Sequence, residues 1–233
     1  MMTKFIILLL SIVLGLCCGF NLYNIITDIF TGFSTEYIYF FCGVVFSLLV
    51  VSIYKRKLEF FSTFEHELTH NIWALIFFRK PMGFHVNSDG SGLFQFTPGG
   101  KFSDIFISLS PYFFPTSCFI WLPFHIICKE EYMWFYFLMM GIFFGYQVIS
   151  TIHETGSYQT DISSQGVVYS YFVFIPLYIV FHGIILAHLT NGFSGIGDFL
   201  IFDAYENGKM FFQTIKMQLG GWIQPYNSLW SPI

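Results

Sequence analysis

The chain has 233 residues, of which 55% are hydrophobic, 22% aromatic and only 10% charged. Ten Lys and Arg side chains set against 33 Phe are too few to cover a soluble surface, and a mean hydropathy of +0.64 indicates a chain that resides in lipid. The formal net charge of −4 offers no basic patch, so composition and charge exclude a soluble globule and a nucleic-acid-binding protein.

Uncharged apolar runs recur along the chain at the length that a bilayer requires, about 20 residues for a hydrocarbon core of about 30 Å. They predict an all-α integral membrane protein with about six transmembrane helices, in one polytopic domain that covers residues 1–190. The tail, residues 191–233, mixes apolar and charged residues, which predicts either an interfacial helix or a loosely ordered segment. The predicted spans are 5–27, 37–54, 60–78, 105–128, 132–152 and 167–190.

The basic residues between these spans predict the orientation of the protein in a plasma or inner membrane. A cytoplasmic N-terminus and a cytoplasmic C-terminus place the larger basic group inside, as the positive-inside rule requires. The inner group is then Lys4, Lys55, Arg56, Lys57 and Lys129, with Lys209 and Lys216 from the tail, and the outer group is Arg79, Lys80 and Lys101. The five Cys show no CxxC spacing and indicate neither a disulfide framework nor a zinc ribbon.

Two carboxylates stand out because Glu65 and Glu67 are the only Asp, Glu, Lys or Arg residues within the six predicted spans. An acidic side chain at the bilayer centre costs about 2.5–3.5 kcal/mol on insertion scales, so such a residue is a functional-site candidate. The run from His66 to His70 reads HELTH, an HExxH motif. Residues i and i+4 share one face of a helix, so both imidazoles can bind one cation while Glu67 deprotonates a water molecule. Glu65 lies outside the motif and is predicted to orient a neighbour or cap a helix end.

The segment after the motif predicts a β-hairpin. Residues 83–96 form two short strand-like runs around Asp89-Gly90, a dipeptide typical of tight hairpin turns. An exposed strand edge can hold a substrate peptide in extended form, and the predicted substrate-binding residues are Leu93, Phe94, Gln95 and Phe96. The alternative is an ordinary hairpin outside the membrane.

With its HELTH run in an apolar helix, the Asp89–Gly92 hairpin and the Pro-containing run Ser110–Tyr112, the sequence resembles the site-two-protease class of intramembrane zinc metallopeptidases. It is most similar to the small forms that lack a PDZ domain, and the resemblance covers residues from about 59 to 166. The resemblance implies that His66, His70 and a distant Asp hold one Zn²⁺ per chain, and that Glu67 activates water.

The third zinc ligand is not marked by the family's usual signature, an Asp-Gly that follows an Asn and a Pro. Asp161 is the predicted third ligand, because it lies in a polar stretch just before the last apolar span. His153 and Glu154 are rivals in the same stretch, His85 is a more distant one, and a plain helix cap or loop carboxylate is the structural alternative for Asp161.

The predicted span count raises a difficulty for this ligand. If 105–128 and 132–152 both cross the membrane fully, Asp161 emerges on the face opposite the start of the motif helix. Two arrangements resolve it: a polar segment that dips inward to the motif, or a re-entrant pair formed where Pro111, Pro115 and Pro123 break the span 105–128.

The predicted function is that of an intramembrane zinc metalloprotease, which hydrolyses a peptide bond in or near a transmembrane segment of a membrane-protein or peptide substrate. The competing hypothesis is a non-enzymatic protein, a small transporter or assembly factor whose buried Glu and His residues bind a proton or cation. His125, His182 and His188 also lie in apolar spans, where neighbouring helices are expected to satisfy them; a proton or metal relay is the alternative.

Overall fold

The computed structural model describes residues 2–32, 34–87, 92–156 and 158–202, together with 205, 206, 208–210, 213 and 217. The described chain is predominantly helical, with one two-stranded sheet, which is consistent with an all-α membrane protein. The helices and strands are α1 (Met2–Thr31), α2 (Thr35–Ile76), β1 (Pro81–Val86), β2 (Gly92–Phe96), α3 (Lys101–Leu109), α4 (Thr116–Trp121), α5 (Phe124–Ile127), α6 (Met133–Glu154), α7 (Thr160–Gln165) and α8 (Val167–Gly197), with 3-10 turns at Ser110–Tyr112 and Glu130–Tyr132 and a π-helical turn at Asp198–Phe202.

Helices α2 and α6 run parallel and approach closely through small residues. Gly43 faces the backbone of α6 at Leu138 and Ile142, while Gly141 faces the Phe40 carbonyl so closely that a Cβ atom there would clash. Without a hydrophobic driving force in lipid, helices associate through close packing, and small residues four apart permit it. The small-xxx-small pairs are Gly43 with Ser47 on α2 and Gly141 with Gly145 on α6.

Helices α1 and α8 form the second parallel pair. Gly15 of α1 packs against Pro176, a proline inside α8. At the start of both helices the Lys4 ammonium donates to the Gln165 carbonyl at 2.6 Å and lies 4.9 Å from the centre of the Tyr169 ring. This basic side chain therefore satisfies the carbonyl end of α7 and fixes the beginning of α1 against it.

Within the part of the chain that the structure describes, four helices are long and apolar enough to cross a membrane, and a fifth span is added if a bent helix pair counts as one. The predicted count of six is not confirmed. The four helices are Met2–Thr31, Thr35–Tyr54, Glu130–Glu154 and Val167–Phe202, and the bent pair is Lys101–Tyr112 with Thr116–Ile127.

The predicted spans 37–54 and 60–78 belong to one helix, α2, which bends at Tyr54 where the backbone leaves helical geometry (φ −110°, ψ 22°). No reversing loop separates the two halves. The Phe61 to Ile76 half carries the HExxH motif, and its polar side chains make it less apolar than the four helices that pass the membrane test.

The predicted span 105–128 is broken. Its two halves, on either side of Pro115, meet at 90°, as expected where proline removes a backbone donor. The re-entrant arrangement that the sequence left open for Asp161 is not established by this bend. A bend of this size fits a broken span as well as a re-entrant loop.

The contacts define two ends of the bundle. At the N-terminal end, the start of α1 contacts the end of α7, and the end of α6 contacts the motif half of α2. At the opposite end, the start of α2, the end of α5, the start of α6 and the region of α8 near His188 line one cavity. The motif half of α2 packs with α1, α3 and α8 through one apolar cluster that includes Ile7, Trp73, Ile105 and Phe174, so it stays near the N-terminal end.

The predicted hairpin is present, with β1 and β2 antiparallel and Phe84 opposite Phe94. Its predicted turn at Asp89-Gly90 lies outside the described residues. In the predicted tail, α8 continues past residue 191 to Gly197, with a break in helical geometry at Asn191 and Gly192. The rest of the tail is described only in part, and its proposed interfacial helix stays a prediction.

Candidate metal centre

Three predicted zinc ligands lie together at the N-terminal end of the bundle. His66 and His70 are one helical turn apart on α2, and Asp161 reaches them from the first turn of α7. One ligand atom from each residue lies within 4.8 Å of the other two. Helical spacing aligns the two imidazoles, but only the tertiary fold brings the carboxylate to them.

Two of the three ligand-atom distances in this group match the spacing around a tetrahedral ion. Oδ2 of Asp161 lies 3.3 Å from Nε2 of His66 and 3.3 Å from Nε2 of His70. Zinc bonds of about 2.0–2.1 Å at a tetrahedral angle require ligand atoms about 3.3 Å apart. Two imidazoles and one carboxylate also form a donor set typical of catalytic zinc, so the residues present fit the implied ion.

The other nitrogen of each imidazole is held by an acceptor. Nδ1 of His70 lies 2.7 Å from the Ile107 carbonyl, and Nδ1 of His66 lies 2.9 Å from Oε2 of Glu154. A carbonyl and a carboxylate only accept hydrogen bonds, so each Nδ1 carries the proton and each Nε2 keeps its lone pair for a metal.

Glu154, a rival for third ligand, thus contacts the far side of His66. Its Oε1 atom accepts hydrogen bonds from the hydroxyls of Ser62 and Ser150, the latter at 3.1 Å, so the carboxylate is itself oriented. Glu154 is therefore placed to orient the His66 ring and not to share its metal-facing nitrogen.

Asp161 is oriented by Tyr112, a residue to which sequence reasoning gave no role. The Tyr112 hydroxyl donates to Oδ2 of Asp161 at 3.5 Å, and its ring packs edge-on against His66. Tyr112 is therefore placed to orient the carboxylate of the predicted third ligand.

Glu67 lines the same cavity as the three predicted ligands, a space of about 600 Å³ between α2, the hairpin and the α6–α7 connection. Strand β2 begins directly beside it: a Cβ atom on Gly92 would collide with the Glu67 carboxylate and with Thr63. Glycine at position 92 therefore lets the strand approach the predicted catalytic carboxylate.

The predicted substrate-binding residues divide into two groups. Leu93, Phe94 and Phe96 line the cavity, whereas Gln95 is not part of the lining that the described residues form. The Phe94 ring stacks on His70 with 6° between the planes and 5.6 Å between the ring centres. Its side chain thus packs on a predicted ligand, which leaves the backbone of β2 as the part available to a peptide.

The remaining rivals occupy other places. His153 lines the cavity without joining the three-residue group, and His85 lies in β1 opposite Leu93. Tyr158, to which sequence reasoning assigned no part in the site, also lines the cavity. The contact between the Ile107 carbonyl and His70 could not be predicted from the sequence, because the position of a backbone acceptor depends on the path of the chain and not on residue type.

Glu65 faces away from the group and holds the start of α4. Its Oε1 accepts from the Ser117 backbone N–H at 2.9 Å and from the Ser117 hydroxyl. With its nitrogen turned toward the carboxylate, the Gln147 amide donates to both Glu65 oxygens at 3.0 and 3.1 Å. The predicted role of Glu65 at a helix end therefore agrees with the contacts.

Comparison of the chain with protein-family models, with curated proteins and with solved structures gave no match. The resemblance to the site-two-protease class therefore stays a hypothesis that rests on the residues quoted for it.

Proposed function

We propose that this protein is an intramembrane zinc metalloendopeptidase that cleaves a peptide bond in or beside a transmembrane segment of another protein. The observation that carries the proposal is the convergence of His66 Nε2, His70 Nε2 and Asp161 Oδ2 in a cavity that Glu67 also lines. Several long apolar helices around this cavity support a site that works at membrane depth.

His66, His70 and Asp161 would hold Zn²⁺, which as a Lewis acid polarises the scissile carbonyl and acidifies water. Glu67 acts as the general base: it takes a proton from the attacking water and passes it to the leaving amine. Glu154 and the Ile107 carbonyl hold the imidazoles in the productive tautomer, and Tyr112 holds Asp161.

Strand β2 supports a peptide substrate. The described sheet has two strands, and β2 has β1 on one side and the catalytic cavity beside it. A peptide bond inside a helix is hidden by its own backbone hydrogen bonds, so a substrate has to unwind before cleavage. Pairing with the backbone of Leu93 to Phe96 would replace the bonds that the substrate loses.

The distribution of basic residues supports a cytoplasmic N-terminus, with the catalytic cavity at the same face. Arg79, Lys80 and Lys101 adjoin the hairpin and α3, which pack at the N-terminal end near Lys4, whereas Lys129 lies at the opposite end beside the start of α6. This exchanges the two groups predicted from the sequence, because Arg79, Lys80 and Lys101 join Lys4 at one face and Lys129 lies at the other. The positive-inside rule assigns the face with more of these basic residues to the cytoplasm.

The test compares zinc content and cleavage in wild type, His66→Ala and Glu67→Gln. Wild type should hold one zinc at this centre, and His66→Ala should lose it together with activity. Glu67→Gln preserves size and hydrogen bonding but removes the base, so zinc should stay while cleavage of a native substrate falls by a factor of about 10² or more.

Near-normal proteolysis by Glu67→Gln would contradict the mechanism. If the wild type and its variants cleaved no membrane substrate while the wild type bound zinc, the result would instead favour the competing cation-binding hypothesis. Each comparison uses protein that is monodisperse in detergent, since a misfolded variant loses metal without informing on its ligands.

A further inference from the structure

A second pair of histidines lies at the end of the bundle opposite the candidate metal centre. His125 of α5 and His188 of α8 meet edge to face, with ring centres 4.7 Å apart and planes at 89°. The His66 and His70 rings are 4.9 Å apart with planes at 76°. The two pairs therefore have similar ring separations, and both meet edge to face.

One nitrogen of His188 is buried without a partner. The side chain is 1% exposed, and its Nε2 atom lies 3.0 Å from the Tyr136 hydroxyl, which also lies 3.2 Å from the Leu122 carbonyl. A hydroxyl that donates to Leu122 accepts from Nε2–H, and the lone pair is then on Nδ1. The Gly192 backbone lies close to the His188 ring, but Nδ1 makes no hydrogen bond of full geometry with the described residues.

Both histidines line a cavity of about 340 Å³ whose electrostatics favour a cation. Glu36 is the charged residue in the lining that the described residues form, and Lys and Arg are missing from that lining. Thr190 marks the carbonyl end of the regular part of α8, which carries partial negative charge. The cavity is lined by Ser34, Glu36, Tyr37, His125, Met133, Phe137, His188, Leu189, Thr190 and Gly192.

The backbone is bent around this pair in a conformation that favours glycine. Gly192 has φ 60° and ψ −147°, and together with Asn191 it breaks α8. The reversal brings the Phe193 ring against His125 at 5.7 Å and against His188 at 4.8 Å. The histidines are thus enclosed by three separate parts of the chain: α5, α8 and the residues after its break.

We propose that His125 and His188 form a second metal site, for a transition-metal cation of the Zn²⁺ and Cu²⁺ class. Imidazole nitrogen suits these ions, and Glu36 supplies compensating negative charge from the cavity wall. The site is separate from the catalytic cavity: Met133 lines one and Glu154 the other, and they lie at the two ends of α6, about 30 Å apart. The ion would join the start of α2 to α5 and α8.

The experiment removes the first site and asks whether metal remains. Full-length His66→Ala/His70→Ala protein in detergent is titrated with Zn²⁺ and the bound metal is measured at equilibrium; about one zinc per chain should bind, more weakly than at the three-ligand centre. Adding His125→Asn should weaken zinc binding by a factor of ten or more, and so should adding His188→Asn. Loaded with Cu²⁺ instead, the protein should show two imidazole nitrogens by pulsed electron paramagnetic resonance, and one after His125→Asn.

A matched control is His182→Asn in the same background. His182 is also buried on α8 and has an unpartnered Nε2, but it does not line this cavity. It should keep zinc. The proposal is overturned if the His66→Ala/His70→Ala protein binds no zinc, if His125→Asn leaves its zinc unchanged, or if His182→Asn removes zinc equally. If the proposed catalytic function proved wrong, these outcomes would not change, because they are measured in protein that lacks His66 and His70.

Discussion

At the scale of single residues, hydrogen bonds to the two Nδ1 atoms decide which nitrogens of the motif histidines can bind a metal. Ile107 and Glu154 accept from His70 and His66, so both free lone pairs point toward Asp161. Such contacts outside the ligand set commonly change metal affinity by a factor of about 10–100. The motif therefore depends on residues 37 to 95 positions away in sequence.

The assignment of Asp161 is the first prediction at this scale. Asp161→Ala should hold much less zinc than wild type and lose activity, because two histidines alone bind zinc weakly. His153→Ala should hold nearly as much zinc as wild type, since His153 lines the cavity outside the ligand group. Metal analysis of the purified variants measures both.

Glu154→Ala separates orientation from ligation. It should retain zinc at saturating metal but with affinity lowered about 10–100-fold, whereas a true ligand variant should not be rescued by excess zinc. If His153→Ala lost zinc while Asp161→Ala kept it, the centre would be a three-histidine site and the placement of Asp161 would be wrong.

At the scale of elements, the hairpin lies closest to the predicted chemistry. Phe94→Pro should lower cleavage while zinc stays bound, because proline removes a backbone donor and distorts the strand edge. Phe94→Leu is the matched control, since it removes the ring that stacks on His70 but keeps the backbone N–H. Activity against a membrane substrate and zinc content are measured together.

If Phe94→Leu and Phe94→Pro lost cleavage equally, the loss would come from the missing ring on His70 and not from disrupted backbone pairing. Full activity in a well-folded Phe94→Pro variant would make the hairpin an ordinary extramembrane element.

The α2–α6 contact leads to a stability prediction. Gly141→Leu should destabilise the protein by about 1–3 kcal/mol, because its side chain would meet the Phe40 carbonyl and force the helices apart. The readout is the thermal midpoint in detergent. Gly19→Leu on α1 should change that midpoint little, since a Cβ atom there meets nothing within 4 Å; a similar fall in both variants would contradict the packing account.

At the scale of the whole molecule, α2 joins two predicted spans into one helix through the kink at Tyr54, which changes the face that each later loop occupies. The N-terminus and the α6–α7 connection lie at one end of the bundle and Lys129 at the other. Six full spans would instead place the N-terminus and Lys129 on the same face. The two topologies therefore differ in whether the N-terminus and Lys129 lie on the same face of the membrane.

The corresponding prediction uses single cysteines in a background without the five native ones. Tyr158→Cys should react with a membrane-impermeant thiol reagent from the cytoplasmic face, the face that an N-terminal tag also reports. Lys129→Cys should react from the other face. Labelling in right-side-out and inverted vesicles gives the answer, and reaction of Lys129→Cys from the cytoplasmic face would restore the six-span topology.

The sequence by itself determined the membrane-protein class, the HExxH motif and the hairpin, because these depend on composition and on neighbours a few positions apart. Helical periodicity alone aligns His66 with His70, and the two strand-like runs around Asp89-Gly90 predicted the pairing of β1 with β2. Only the tertiary structure decided that Asp161 meets these histidines, since that contact brings together residues 95 positions apart in sequence. The tertiary structure also decided that α2 continues through Tyr54 as one bent helix. Hydropathy measures how apolar a segment is, and it does not show whether two apolar segments are joined by a bend or by a loop that reverses the chain.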